Sequence, residues 1–147
     1  MHIEGLSDRH MLIFEKDDKI MKSLTSWAAQ NELKGGMVTG IGALKNVELG
    51  YYNLEEKTYQ RKTFSESDYE LISFTGNISL KGGEYFSHIH VLLADASYQA
   101  FGGHLFEAEV AVTAEIFVTP LGVLPQRNFD KCIGLDLIDD TLERQKR

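Results

Sequence analysis

Between residues 20 and 33, hydrophobic and polar positions follow a helical period. Apolar side chains recur there at intervals of three or four residues, which places them on one face of a helix. They are Ile20, Leu24, Trp27, Ala28 and, near the end, Leu33. We expect Asp17 or Asp18 to cap the start of this helix, because a carboxylate accepts hydrogen bonds from the free N–H groups. We expect Gly35 and Gly36 to end it in the left-handed conformation that glycine readily adopts.

The rest of the sequence is patterned as strands, rich in β-branched and aromatic residues and separated by polar or glycine-containing turns. The predicted strand segments are HMLIFEK, GMVTGIGAL, VELGYYNLEEKTYQRKTF, DYELISFTGNISL, YFSHIHVLLAD, HLFEAEVAVTAEIFV and KCIGLDLID. The third segment should form two strands, with a polar turn near Glu55 and Glu56. Pro120 and Pro125 bracket a loop after the longest strand. One helix followed by six or more strands predicts a single α+β domain, 1–147, with a mostly antiparallel sheet packed on the helix.

Composition narrows the classes of function. The chain has 147 residues and a net charge of −7, which opposes attraction to nucleic-acid phosphates or anionic lipid. Cys132 is the single cysteine, so no internal disulfide can form, and a reducing compartment is favoured. The N-terminal residues carry charge throughout and lack the apolar core of a signal peptide. These features predict a cytoplasmic protein that does not associate with membranes.

Three of the five histidines stand close together in the sequence, at positions 88, 90 and 104. Successive side chains of a strand alternate between its faces, so His88 and His90 project on the same side, with Cβ atoms about 6.6 Å apart. His104 lies on the next predicted strand and returns beside the pair if the two strands form a hairpin. Three imidazoles in this arrangement can bind one metal ion, with metal–nitrogen bonds of about 2.0–2.1 Å.

The length of the hairpin loop decides whether the three side chains share a face. A three-residue loop over 96–98 places His104 directly opposite His90, whereas a two-residue loop places it opposite Ile89, on the wrong face. A metal site therefore requires an odd-length loop or a bulge. Gly102 and Gly103 are a suitable place for a bulge, since glycine tolerates the required backbone.

Neutral imidazoles favour zinc, with copper, nickel and iron(II) as alternatives. Because the rings must be unprotonated to bind, metal affinity is expected to fall as the pH drops through about 6.5. The competing interpretation is that these are ordinary strand residues, since alternation puts His104 on one face with a set of apolar residues. That set is Phe106, Ala108, Val110 and Val112. On the opposite face, Glu115 could support the site or act in acid–base chemistry, although a solvated or interface residue is the simpler interpretation.

Several motifs together resemble one known family, the PPC domain (plants and prokaryotes conserved). They are GIGAL at 40–44, YELISFTGNIS at 69–79, HIHVLLAD at 88–95, GGHL at 102–105, VTAEIFV at 112–118 and RNFDKCIG at 127–134. The resemblance implies an α+β fold with about seven antiparallel strands, one main helix and a homotrimeric assembly. It also implies a metal bound by His88, His90 and His104. It assigns no role to Arg127.

These observations predict a trimeric, cytoplasmic, metal-binding protein without an assigned catalytic residue. Three histidines leave a coordination position open, which is typical of catalytic sites, so metal-assisted hydrolysis or lyase chemistry on a small molecule is one hypothesis. A regulatory module that binds a protein partner is the alternative. Direct DNA binding is disfavoured, because the chain has no Arg-Gly-Arg-Pro element of the kind that enters the minor groove in the plant members.

The first prediction concerns DNA. Because the net charge is −7 and no basic segment is present, the protein should bind duplex DNA more weakly than the usual non-specific range of about 10⁻⁴–10⁻⁶ M at physiological salt. Fluorescence anisotropy with a labelled duplex measures this affinity. A complex that forms at micromolar protein would contradict the prediction.

Overall fold

The computed structural model describes residues 2–4 and 9–139, which contain one helix and nine strands. The helix, α1, spans Ile20–Gln30. The strands are β1 (His2–Glu4), β2 (His10–Glu15), β3 (Gly36–Asn53), β4 (Thr58–Phe64), β5 (Tyr69–Lys81), β6 (Glu84–Ala94), β7 (Ala100–Pro120), β8 (Gln126–Asp130) and β9 (Leu135–Ile138). No helix among these residues is long and apolar enough to cross a membrane.

All nine strands belong to one sheet, which closes on itself at its centre. Strand β3 pairs with β5 and β7, and β6 pairs with the same two strands, so the four longest strands form a closed circuit. Every pairing of described strands is antiparallel except that of β5 with β8, where Lys81 lies opposite Arg127. The predicted mostly antiparallel sheet with one main helix is therefore confirmed.

The strand count differs from the expected seven. Strands β1 and β8 are short and were not predicted, whereas the segments GMVTGIGAL and VELGYYN join into the single long strand β3. The polar turn expected near Glu55 and Glu56 is present, and Asn53 Oδ1 accepts hydrogen bonds from both of their N–H groups. The loop expected between Pro120 and Pro125 separates β7 from β8.

The helix starts without the cap that the sequence predicted. Its N-cap residue is Lys19, which makes no side-chain capping hydrogen bond. The carboxylate of Asp18 instead accepts a hydrogen bond from the N–H of Glu15, and Asp17 pairs with Lys45. Both aspartates are therefore used in the turn between β2 and α1 rather than at the helix start.

A carboxylate from a distant strand replaces the local cap. Glu107 of β7 accepts hydrogen bonds from the N–H groups of Met21, at 2.9 Å, and Lys22, at 3.2 Å. These two donors belong to the first turn, where N–H groups have no partner within the helix and where negative charge is stabilised by the helix dipole. Glu107 therefore fixes α1 against the sheet.

The helix also ends earlier than predicted. Glu32, with φ of 48°, is the left-handed residue at the helix end, and Gly35 is also left-handed, with φ of 65°, but lies beyond that end. The N–H of Leu33 donates to the carbonyl of Ala28 at 3.0 Å, and the N–H of Glu32 donates to that of Ala29 at 3.2 Å. This pair of hydrogen bonds is a Schellman motif, which satisfies the last carbonyls of the helix.

The apolar face of α1 packs against β6 and β7 and forms one core with the inner face of the sheet. Ile20, Leu24 and Ala28 are fully buried, as predicted, and Trp27 is partly buried against the core. Met21 joins them, although the sequence pattern did not single it out. The large side chains that complete the core are Leu44, Phe74, Ile78, Ile89, Leu93, Leu105 and Ile116.

A bulge in β7 breaks the alternation that the sequence suggested. Val110 pairs with Leu44 and Ala114 pairs with Gly42, so four steps of β7 lie opposite two steps of β3. Val112, inside the bulge, is 68% exposed although it was expected on the core face with His104, whereas Val110 before the bulge and Ala114 after it are both fully buried.

Replacing Glu107 by alanine should lower the free energy of unfolding by about 1–2 kcal/mol, because two N–H groups of the helix lose their acceptor. Urea denaturation at fixed protein concentration measures the change. Glu56→Ala, in an exposed turn, is the matched control and should change stability by less than about 0.5 kcal/mol. Equal stabilities for the two variants would contradict the capping role.

Candidate metal centre

The β6–β7 hairpin brings the histidines together. His90 lies directly opposite His104, and the register continues without a shift to the pair Ala94–Ala100. The loop beyond Asp95 and Gln99 therefore contains the three residues 96–98, which confirms the odd-length loop on which the convergence of the histidines depends. No bulge is needed between these strands.

Local chemistry sets the loop length. Tyr98, its last residue, takes the left-handed conformation with φ of 61°, the usual arrangement of a three-residue hairpin loop. The Asp95 side chain accepts hydrogen bonds from the N–H groups of Ser97, at 2.8 Å, and Gln99, at 3.0 Å. Gly102 contributes close packing rather than a bulge, because a Cβ atom there would collide with the carbonyl oxygen of Val91 on β6.

One ring nitrogen from each of His88, His90 and His104 lies within 4.8 Å of the other two. The ring centroids are 5.1–5.4 Å apart in all three pairs. Tetrahedral zinc with bonds of about 2.0–2.1 Å places its nitrogen ligands about 3.3 Å apart, so the rings need to close by no more than about 1.5 Å. Small side-chain rotations of this kind are compatible with the observed backbone.

Burial keeps two of the imidazoles neutral. Loss of hydration lowers the pKa of His88 to about 4, helped by the positive charge of Arg127 and by His90. The pKa of His104 also falls to about 4, first through burial and then through the neighbouring histidines and two arginines. The expected loss of metal affinity through pH 6.5 therefore does not apply to these two rings, which stay unprotonated to a lower pH.

A buried nitrogen in the cluster has no protein partner. The Nδ1 atom of His104 is buried and makes no hydrogen bond with any described residue, an arrangement that costs free energy unless a ligand satisfies the atom. Three converging imidazoles, one with an unsatisfied buried nitrogen, fit a metal of the zinc class. The residues present are thus chemically suited to the ion that the sequence predicted.

Arg127 of β8 lies beside the cluster, with its Nη2 atom 3.2 Å from Nδ1 of His88. Arginine can only donate, so His88 Nδ1 is the acceptor and the neutral ring carries its proton on Nε2. A metal bound at Nδ1 would displace that hydrogen bond, and a metal bound at Nε2 would shift the ring proton to Nδ1, which could then no longer accept from Arg127. Arg127 is 7% exposed, and its other hydrogen bonds go to Ser79, Asn77 and the backbone carbonyl of Asp136.

Aromatic side chains form the opposite wall. The rings of Tyr59 and Phe106 lie 5.1 Å and 4.9 Å from that of His104. They cover the backbone of Gly50, which pairs with His104, because a Cβ atom there would stand 2.8 Å from Cδ1 of Tyr59. Arg61 of β4 stacks on Phe106, with 3.5 Å from Cζ to the ring centroid. The sequence pattern did not single out Tyr59 or Arg61. The available indication was Gly50 in VELGYYN, since a glycine inside a strand often marks close packing.

Glu115 is not part of this cluster. It is half-buried and lines a separate groove with Ile41, Ile72 and Val112. The residue lies eleven positions beyond His104 on β7, roughly 35 Å along the strand at about 3.3 Å per residue. A role for Glu115 at the histidines is therefore wrong.

Comparison with known proteins identifies the family. Residues 1–122 match the sequence profile of the Plants and Prokaryotes Conserved (PCC) domain, also abbreviated PPC. The chain belongs to this family. The match includes His88, His90 and His104 and ends before β8, so Arg127 lies outside it. No curated protein matches the sequence significantly.

Three solved structures share the fold over 95% of this chain. A PPC protein from Pyrococcus horikoshii is 32% identical, with a TM-score of 0.83 and 95% of each chain covered. A metal-containing protein from Archaeoglobus fulgidus is 33% identical, with a TM-score of 0.84 over 95% of this chain and 99% of the other. A protein from Bacteroides thetaiotaomicron, provisionally described as DNA-binding, is 26% identical, with a TM-score of 0.88 over 95% and 97%.

The lowered pKa values predict that the metal-free protein loses stability as the pH falls from about 6.5 to about 4. In this window the unfolded chain binds protons at His88 and His104 that the folded chain does not, so unfolding becomes more favourable with each step down in pH. Urea denaturation of metal-free protein between pH 7 and 4 measures the slope. The double variant His88→Gln, His104→Gln should have a shallower slope, and an unchanged slope would contradict the prediction.

Proposed function

We propose that this PPC protein binds one divalent metal ion per chain through His88, His90 and His104. The observation that carries the proposal is the convergence of three ring nitrogens within 4.8 Å, two of them on imidazoles whose pKa values are lowered to about 4. The metal content of the 33% identical protein from Archaeoglobus fulgidus supports it. In this proposal the rings of His88 and His104 are prepared for binding by burial, since they need not lose a proton at neutral pH.

Zinc is the preferred ion, because three imidazole nitrogen ligands suit its borderline character and its tetrahedral geometry. Copper, nickel and iron(II) are the alternatives. A bound ion of this kind supplies Lewis acidity and an ionisable water. The protein residues provide the cavity beside it, where Arg127 and Arg61 present positive charge and Phe106 excludes water from one side.

We also propose that the protein assembles as a homotrimer in the cytoplasm. Large apolar side chains on the outer face of β3, β5 and β7 support self-association: Ile41 is 55% exposed, Ile72 51% and Val112 68%. These three residues line the groove that also contains Glu115. The number of subunits rests on the family resemblance, and the exposed thiol of Cys132 suits a reducing compartment.

Protein purified without an affinity tag should contain close to one zinc ion per chain by elemental analysis. His88→Ala, His90→Ala and His104→Ala should each lose most of this metal, because only two imidazoles remain and these are too few to hold the ion. His10→Ala, a histidine near the helix, is the control and should retain it. Full occupancy in any of the three site variants would reject a shared site.

Light scattering at micromolar protein should return three times the chain mass of 16.6 kDa. Placing a charge in the apolar groove with Val112→Asp should shift the protein to smaller species, because the carboxylate would be buried at the interface. Tyr98→Asp, at a hairpin tip that is 91% exposed, is the matched control and should leave the mass unchanged. A monomer mass for the unmodified protein would exclude the trimer.

A further inference from the structure

A cavity of about 320 Å³ opens beside the histidines, between the sheet and the β8–β9 hairpin. Its walls combine cationic and apolar side chains with His88 and His104. The cationic residues are Arg61, Lys81 and Arg127, and Asp136 is the one carboxylate among the lining residues. A site with this excess of positive charge, in a chain whose net charge is −7, is suited to an anionic ligand.

Arg127 provides the decisive observation, because its buried guanidinium forms no ion pair with a carboxylate. Arg127 is 7% exposed, and the hydrogen-bond partners of its guanidinium are all neutral: Ser79, Asn77, the Asp136 carbonyl and His88. No carboxylate of the described residues lies within 4.0 Å of it. A buried charge is costly unless it is paired, so the cavity lacks one negative charge on the protein side.

The other two cations already have carboxylate partners. Arg61 pairs with Glu48 at 3.2 Å, and Lys81 pairs with Asp136 at 2.9 Å. After these pairs are formed, one positive charge is left, that of Arg127. In the metal-free protein this charge balance favours a singly charged ligand over a phosphate dianion.

The remaining walls are apolar. Phe86 and Phe106 face the cavity from β6 and β7, and Leu135 and Leu137 face it from β9. A cavity of about 320 Å³ is at the small end of the range for ligand sites, which favours a molecule of a few carbon atoms. The ligand should therefore combine a charged group with a short hydrocarbon chain.

We infer that this cavity binds a small monocarboxylate, with its carboxylate on Arg127 and its apolar chain against the phenylalanine and leucine side chains. The inference rests on the proposed function for its place beside a metal, since Arg127 also contacts His88. A divalent ion at the histidines would add positive charge to the same cavity. Zinc-loaded protein should therefore bind the carboxylate more tightly than metal-free protein does.

Calorimetric titration with butyrate, butyramide, acetate and inorganic phosphate tests the inference on the unmodified protein. Butyrate should bind at least tenfold more tightly than butyramide, which has the same shape without the charge, and at least fivefold more tightly than acetate, which lacks the apolar chain. Equal affinities for butyrate and butyramide would overturn the inference. Phosphate binding more tightly than butyrate to the metal-free protein would also overturn it.

Variants locate the site. Arg127→Gln should weaken butyrate binding at least tenfold, while Arg127→Lys should retain part of the affinity. Lys34→Gln, an exposed cation outside the cavity, is the matched control and should bind butyrate like the unmodified protein. Undiminished binding in Arg127→Gln would overturn the inference. Since Arg127 also joins three strands, the comparison of butyrate with butyramide tests the charge requirement without any variant.

Zinc content measured on the same samples separates this inference from the proposed function. Protein that holds zinc but does not distinguish butyrate from butyramide would overturn the carboxylate site alone. Protein that binds butyrate through Arg127 but takes up no zinc would overturn the metal site alone.

Discussion

The direct pairing of His90 with His104 across the β6–β7 hairpin is the constraint on which the candidate site depends. The side-chain period of a strand is two, so a slip of one residue would carry His104 to the other face of the sheet. Asp95 holds the three-residue loop, and Gly102 lets β7 approach β6 closely enough to keep the register. Backbone geometry thus determines the chemistry, because the imidazoles converge only in this register.

Basic side chains cluster at the candidate site, although the protein as a whole is acidic. Burial lowers the pKa of His88 and His104. The guanidinium of Arg127 is bound by neutral groups and has no carboxylate partner. Neutral imidazoles bind a metal without proton release at neutral pH, and the unpaired guanidinium favours an anion in the same cavity. The two proposals therefore share one physical origin, the transfer of basic side chains out of water. In each proposal a ligand, rather than another protein residue, satisfies the buried basic group.

Sequence reasoning found the histidines because the relevant information is local. Two of them lie on one strand, and the third follows after a loop whose length fixes the register. Residues that arrive through distant pairings were not predictable in this way: Arg127 reaches the site through the parallel pairing of β5 with β8, and Glu107 caps a helix more than eighty residues earlier in the chain. Val112 was misplaced because it lies inside a bulge of β7, where the alternation is interrupted, and alternation alone does not reveal a bulge.

The central claim is that three histidines of one hairpin bind a single ion. The most direct measurement is a crystal structure of zinc-loaded protein with anomalous data collected at the zinc absorption edge. The account predicts one strong peak per chain, about 2.0–2.1 Å from a ring nitrogen of each of His88, His90 and His104. A peak elsewhere on the chain, or one that contacts only a single histidine of the three, would contradict it.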